Sequence, residues 1–116
     1  MKEYTITRDG QRDLRFTGEK LADASNQWVA GKENNRWHEL ALYRTATGRY
    51  VLQEEYVTRW QGETGASNAV VCATAQEALD VLANEDGGLS ALDKELLQEA
   101  AKVDEAFSGL WAEVVD

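Results

Sequence analysis

The residues best suited to catalysis in this chain are its single histidine, His38, and its single cysteine, Cys72. A general base or a nucleophile acts only when the fold sets it against a partner group, and no motif pairs these two residues. Cys72 lies in the apolar run Ala69–Ala73, where burial raises a thiol pKa although a nucleophile needs a lowered one. We therefore expect Cys72 to be a small buried side chain, His38 to be a partly exposed strand residue, and the protein not to be an enzyme.

Motifs for metals and cofactors do not occur in the sequence. One cysteine and one histidine are too few for the usual zinc ligand sets. Glu54 and Glu55 are adjacent in a predicted strand, so their side chains point to opposite faces and cannot hold one ion together. The pair Gly87-Gly88 is not followed by the lysine and hydroxyl residue of a phosphate-binding loop. We expect no catalytic set, no metal site and no cofactor.

Arginine alternates with aromatic residues through the middle of the chain. Such interleaving is typical of surfaces on which the bases of single-stranded nucleic acid stack. The same side chains are also able to stack within a sheet or to pair with Glu39, Glu54 and Glu55 on neighbouring strands. The candidate nucleic-acid-binding residues are Arg36, Trp37, Arg44, Arg49, Tyr50, Arg59 and Trp60.

Negative charge is concentrated in the second part of the chain, and the net charge is −9. Residues 1–60 carry ten Lys and Arg against nine Asp and Glu, whereas residues 61–116 carry two Lys against twelve Asp and Glu. A region of one sign attracts basic partners and repels nucleic acid, although it also keeps a protein soluble. Carboxylates repeated along a surface can imitate the phosphates of a duplex and occupy the basic groove of a nucleic-acid-handling protein. The candidate partner-binding residues are Asp80, Glu85, Asp86, Asp93, Glu95, Glu99, Asp104 and Glu105.

The stretch Trp37–Gly62 is the predicted centre of the fold that positions these residues. It is rich in Val, Leu, Tyr and Trp and contains no Pro, which is typical of a half-buried pleated sheet. Residues 45–48 predict a turn in which Gly48 takes a positive φ at no steric cost. We expect two long strands and the start of a third, with Tyr56–Gln61 continuing as strand. Neither face is purely apolar, which indicates a sheet that helices cover on one side while aromatic side chains remain on the other.

Further strands are predicted on both sides of this centre. Tyr4–Arg8 and Leu14–Thr17 flank the turn signal Asp9-Gly10 and are expected to pair as a hairpin. Residues 18–24 are compatible with either a strand or one helical turn, and residues 25–35 predict a surface loop. The run Ala69–Ala73 is continuously apolar, which indicates a central strand covered on both faces.

The second part of the chain is predicted to be helical. Thr74, followed three residues later by Glu77, has the form of a capping box, and Ser90, with Asp93 at the third helical position, is a second N-cap candidate. A helix should therefore begin after each hydroxyl residue. From Leu92 to Leu110, apolar residues recur at the three- and four-residue intervals of a helix. We expect one α+β domain over residues 1–116, mainly strands over 1–73 and mainly helices over 74–116. Its antiparallel sheet of four to six strands carries the helices on one face.

Two short segments, LYRTATGRYV and TRWQGE, resemble small uncharacterised proteins carried by bacterial mobile elements. In size, acidity and scarcity of cysteine, the chain is also similar to phage-encoded counter-defence inhibitors, including anti-CRISPR proteins. The lone cysteine, the lack of an apolar run of about 18 residues and the polar first ten residues predict a cytoplasmic protein without a membrane span.

Charge asymmetry and the lack of a catalytic set lead to one leading hypothesis. The protein is expected to bind a basic protein or nucleoprotein complex stoichiometrically, and to inhibit or regulate it, as a monomer or homodimer. The alternative is a nucleic-acid-binding module that uses the arginine and aromatic residues of the hairpin.

Overall fold

The computed structural model describes residues 1–29 and 31–115, and within them the strands precede the helices. Five strands form one curled antiparallel sheet in the order β1-β2-β5-β6-β7, and β3 and β4 form a separate hairpin. The helices pack against one face of the sheet, which confirms the predicted α+β fold. The elements are β1 (Lys2–Ile6), β2 (Leu14–Ser25), β3 (Trp28–Val29), β4 (Lys32–Glu33), β5 (Arg36–Thr45), β6 (Tyr50–Thr58), β7 (Ala66–Cys72), α1 (Ala75–Leu82), α2 (Ala91–Ala101) and a 3-10 helix (Glu105–Phe107).

The predicted central hairpin is formed by β5 and β6. Its register runs from Arg44 opposite Tyr50 at the turn to Arg36 opposite Thr58 at the far end. Gly48 has a φ of 85°, as expected from the turn sequence. The expected continuation of strand over Tyr56–Gln61 is correct for residues 56–58, which complete β6, and wrong for residues 59–61, which lie outside any strand. The expected start of a third strand within residues 37–62 is therefore wrong as well.

The first hairpin is also present, and β2 is much longer than the sequence indicates. Residues 14–18 pair with β1, while residues 18–25 continue the same strand and pair with β5. The strand alternative for residues 18–24 is therefore correct. The register shifts between Lys20 and Ala22, and such a bulge bends a strand and increases its twist. The predicted loop over residues 25–35 contains the β3–β4 hairpin, and Ala30 within it lies outside the described residues.

The prediction that Ala69–Ala73 forms a central strand is wrong, because β7 is an edge strand that pairs only with β6. Its apolar character has another cause, which is that both of its faces meet a core. Ala69 packs into one apolar cluster and Cys72 into the other, on opposite faces of the sheet. Asp9 caps part of the open edge, since its N–H donates to the Ser67 carbonyl oxygen at 2.9 Å and its carboxylate accepts from the Ser67 N–H at 2.8 Å.

Two apolar clusters hold the sheet, one on each face. On the helix side, Leu42 and Leu52 pack against Leu96, Leu97 and Phe107, all of them buried. The opposite face carries a smaller cluster in which the rings of Tyr4, Phe16 and Tyr43 lie 4.8–5.4 Å apart. The expected aromatic side chains on the uncovered face are thus present, and the curl of the sheet packs them against one another.

Both predicted helix starts are confirmed. The Thr74 hydroxyl accepts from the Glu77 N–H at 3.1 Å, and Ser90 and Asp93 cap each other's backbone N–H groups, both at 3.1 Å. The predicted helical period up to Leu110 is interrupted, because α2 ends at Ala101 and Asp104 caps the 3-10 helix. Within residues 1–29 and 31–115, no helix combines the length and the apolar character that crossing a membrane requires.

Candidate functional site

Three of the eight candidate partner-binding carboxylates, Asp93, Glu95 and Glu99, belong to α2 and line two adjoining depressions that share Glu95. Leu96, Leu97 and Ala100 face the sheet, so helical periodicity puts Glu95 and Glu99 outside that face, where they border β2. There Glu95 and Glu99 line a shallow cleft with Lys20 and Asp23, and Asp93 and Glu95 line a neighbouring groove with Glu54. We call this surface the acidic flank. It consists of Asp23, Glu54, Asp93, Glu95 and Glu99.

Other candidate carboxylates lie away from the acidic flank. Asp80 projects from α1 into a depression that it shares with Lys94 and Glu113, so a cation is already nearby. Glu85 and Asp86 are exposed in the loop between the helices, where Asp86 accepts a hydrogen bond from the Gly88 N–H at 2.9 Å. Glu105 is exposed on the 3-10 helix. The acidic residues of the second part therefore do not form one continuous surface.

Asp104 is not an exposed acidic residue but a buried link between the C-terminal segment and the sheet. Its side chain is 9% exposed and accepts from the Arg44 guanidinium at 3.0 Å and from the Tyr50 hydroxyl at 2.8 Å. Arg44 also pairs with Glu19, and the ring of Tyr50 packs edge-on against Phe107 at 5.0 Å. Asp104 is thus unavailable to a partner, in contrast to its predicted role.

The same link sets the ionisation of Asp104. Burial alone would raise its pKa, but hydrogen bonds from the Ala106 N–H and the Tyr50 hydroxyl, together with the Arg44 charge, outweigh burial and lower the pKa. Burial and the hydrogen bond to Asp104 in turn raise the pKa of Tyr50. Asp104 therefore stays ionised and Tyr50 protonated at neutral pH.

The seven candidate nucleic-acid-binding residues do not form one open stacking surface. Trp37 and Tyr50 are each only 7% exposed. The Arg59 guanidinium lies 5.2 Å from the Trp37 ring and pairs with Glu33. Arg36 lies 5.4 Å from the exposed ring of Trp60 and pairs with Glu63, while Arg44 is held in the link to Asp104 and Arg49 is exposed beside the turn.

A groove of about 690 Å³ lies between the β3–β4 hairpin and the start of α2. The sequence pattern did not single out Trp28 and Glu54 as site residues. The signal that could have identified Trp28 is a large aromatic residue within an otherwise polar predicted loop. We call this site the Trp28 groove. Its principal lining residues are Trp28, Val29, His38, Glu54, Asp93 and Glu95.

A smaller cleft of about 360 Å³ opens on the other face of the sheet, and its polar side chains largely satisfy one another. The Tyr43 hydroxyl donates to Gln53 at 2.8 Å, and the Gln53 amide donates to Glu55 at 2.7 Å. Lys20 and Asp23 form an ion pair at 2.9 Å. Glu55 lines this cleft whereas Glu54 lines the Trp28 groove, which confirms that the two adjacent carboxylates point to opposite faces.

His38 and Cys72 do not form a catalytic pair. On β6, His38 is opposite Tyr56 and Cys72 is opposite Tyr50, so roughly 20 Å of strand separates their levels in the sheet. Cys72 is 1% exposed, and burial together with the negative charge of Glu77 raises the pKa of its thiol.

Neither a protein-family model, nor a curated protein, nor a solved structure matches the chain. What the surface can do chemically is therefore inferred from its own residues. The acidic flank offers carboxylates to a cationic group, and the Trp28 groove adds an exposed aromatic ring beside them.

Replacing Asp104 with asparagine is expected to lower the free energy of unfolding by about 1–3 kcal/mol at neutral pH, because charge-assisted hydrogen bonds are lost. A lowered folded-state pKa stabilises the fold above the unfolded-state pKa, and this contribution disappears as the pH falls through the folded-state value. The difference between wild type and D104N should therefore shrink in acid. Urea unfolding over a series of pH values measures it.

The control is Glu105→Gln, which neutralises an exposed neighbouring carboxylate and should change stability by less than about 0.5 kcal/mol. A D104N variant as stable as wild type at neutral pH, or a difference that persists unchanged in acid, would contradict the role of Asp104.

Proposed function

We propose that the protein is a non-enzymatic binding protein that inhibits or regulates a basic, nucleic-acid-handling protein by stoichiometric association. The acidic flank is the observation that carries this proposal, because carboxylates of α2, β2 and β6 line two adjoining depressions that share Glu95. Such convergence produces a local negative potential that a scattered set of carboxylates does not. The proposed mode of action is that of a phage or mobile-element counter-defence inhibitor.

The availability of these carboxylates supports the proposal. In the described part of the chain, Glu54, Asp93 and Glu95 have no ion-pair partner, whereas Glu99 pairs with Lys102 and Asp23 with Lys20. Exposed ion pairs contribute little to stability, so a partner's cations can replace these two lysines at small free-energy cost. The acidic flank therefore retains charge that a basic surface can neutralise.

The proposed partner carries a groove that normally holds nucleic acid. Carboxylates arranged over a surface present charges of the same sign as phosphates, and complementary charges accelerate association and select against acidic partners. We place this action in the cytoplasm, where a lone, buried thiol such as Cys72 stays reduced, and we expect the acting form to be a monomer or homodimer.

Reversing Glu95, Glu99 and Glu105 to lysine is expected to abolish partner capture while leaving the domain folded, because all three side chains lie away from the apolar clusters. The measurement is affinity capture from a bacterial lysate at low salt, followed by mass spectrometry. Wild type should enrich one basic, nucleic-acid-handling protein in a fixed ratio, and the triple variant should not.

The matched control reverses three exposed carboxylates outside the candidate set, Glu3, Asp13 and Glu113, and so changes the net charge equally. It should retain the partner. Equal capture by wild type and the E95K/E99K/E105K variant would exclude the acidic surface as the binding site.

The alternative function, a nucleic-acid-binding module, is favoured by the exposed ring of Trp60, which is 52% accessible and has the Arg36 guanidinium beside it. It predicts salt-sensitive binding of labelled single-stranded DNA or RNA that Trp60→Ala weakens. Fluorescence anisotropy at low salt measures this binding. If wild type retains neither nucleic acid, the alternative is removed.

A further inference from the structure

We propose that the Trp28 groove is the docking site for a basic segment of the protein partner, which places an arginine or lysine between Glu54 and Glu95 and an adjacent aromatic or apolar side chain on Trp28. This inference rests on the proposed function and deepens it, because it assigns one location within the acidic surface to the partner's contact.

The apolar part of the groove is unusually exposed. Trp28 is 63% accessible and Val29 is 53% accessible, while Leu40 and Leu92 form the apolar side nearer the sheet and α2. Tryptophan is enriched at the centre of protein interfaces because it buries a large area with few rotatable bonds. Its ring face also attracts guanidinium and ammonium groups.

The charged part of the groove matches a basic occupant. Glu54, Asp93 and Glu95 line it, and none of the described lining residues is lysine or arginine. Burial and the nearby charge of Asp93 raise the pKa of Glu54, while His38 opposes this shift. A cation placed beside Glu54 would offset both effects, so the groove gains favourable electrostatic interactions when a basic side chain enters.

Both walls of the groove are fixed before any partner arrives. The Asn26 side chain accepts from the His38 N–H at 2.7 Å, and the Asn34 side chain donates to the Asn26 carbonyl oxygen at 3.0 Å. These bonds join the β3–β4 hairpin to β5, and the pair between Glu33 and Arg59 joins it to the segment after β6. On the other wall, Ser90 and Asp93 fix the start of α2. Preorganised walls lower the entropy lost on binding.

Charge also selects the class of occupant. The carboxylates of the groove repel phosphate, which disfavours nucleic acid. A second copy of this chain would bring another net charge of −9 to the same surface. A short basic segment of a protein is repelled in neither way. A segment in which basic and apolar side chains alternate would match the charged and apolar parts of the groove.

The test uses a short synthetic peptide in which arginine alternates with tyrosine, titrated into the full chain at low salt by isothermal calorimetry. The double variant E54Q/E95Q and the variant W28A are each expected to weaken binding by about tenfold or more. The control E3Q/E113Q makes the same change in net charge at two exposed residues outside the groove and outside the candidate set, and should alter the dissociation constant by less than about twofold. Circular dichroism and the thermal midpoint establish that every variant is folded.

Equal weakening by E54Q/E95Q and by E3Q/E113Q would contradict binding in the groove, because only net charge would then matter, and would leave the proposed function standing. Absence of peptide binding by wild type would also contradict the assignment of the groove as a docking site for a basic segment. Dimerisation that depends on Trp28, or retention of single-stranded DNA that depends on Trp28, would contradict it too. The proposed function is judged separately, by lysate capture with E95K/E99K/E105K.

Discussion

The packing of α2 against the sheet is the interaction on which the rest of the structure depends. Leu96, Leu97 and Ala100 are fully buried against β2 and β5, which fixes the rotation of the helix about its axis. Once this rotation is fixed, Glu95 and Glu99 must project beside β2, where Asp23 already lies. Ser90 and Asp93 fix where the helix begins and therefore which residues border the Trp28 groove. The positions of Glu95 and Glu99 in the acidic flank thus follow from apolar burial on another side of the same helix.

The pairing of charges determines which side chains contribute to the electrostatic potential at the surface. In the described part of the chain, the ion-paired arginines, Arg15, Arg36, Arg44 and Arg59, all lie within residues 1–60. Their positive charges are therefore neutralised by the carboxylates with which they pair. Asp104 pairs with one of these arginines, so it does not add to the exposed negative charge. Its contacts with Arg44 and Tyr50 link the 3-10 helix to β5 and β6. What remains open to solvent is mainly negative.

Features that depend on neighbouring residues could be predicted from the sequence. The turn at Gly48, the caps at Thr74 and Ser90 and the alternation that separates Glu54 from Glu55 all follow from local geometry. The edge position of β7 does not, since a strand covered on both faces by a curled sheet has the same apolar pattern as a central one.

Features that depend on distant residues could not be predicted. The burial of Asp104 requires Arg44 and Tyr50, which lie 60 and 54 positions earlier in the chain. The Trp28 groove requires the hairpin of residues 28–33 to stand opposite α2, and no periodicity in the sequence encodes that contact. The fold places Asp93, Glu95 and Glu99 of the predicted acidic surface at two adjoining depressions and covers the Asp104 side chain.

The central claim is that the acidic flank faces the partner, and carboxylate footprinting tests it most directly. In this measurement a carbodiimide labels accessible carboxylates in the free protein and in its complex with the captured partner, and mass spectrometry locates the labels. We expect labelling of Glu54, Asp93, Glu95 and Glu99 to fall in the complex, while labelling of Asp80, Glu85 and Asp86 stays unchanged. Unchanged labelling of α2, or protection confined to Asp80, Glu85 and Asp86, would contradict the claim.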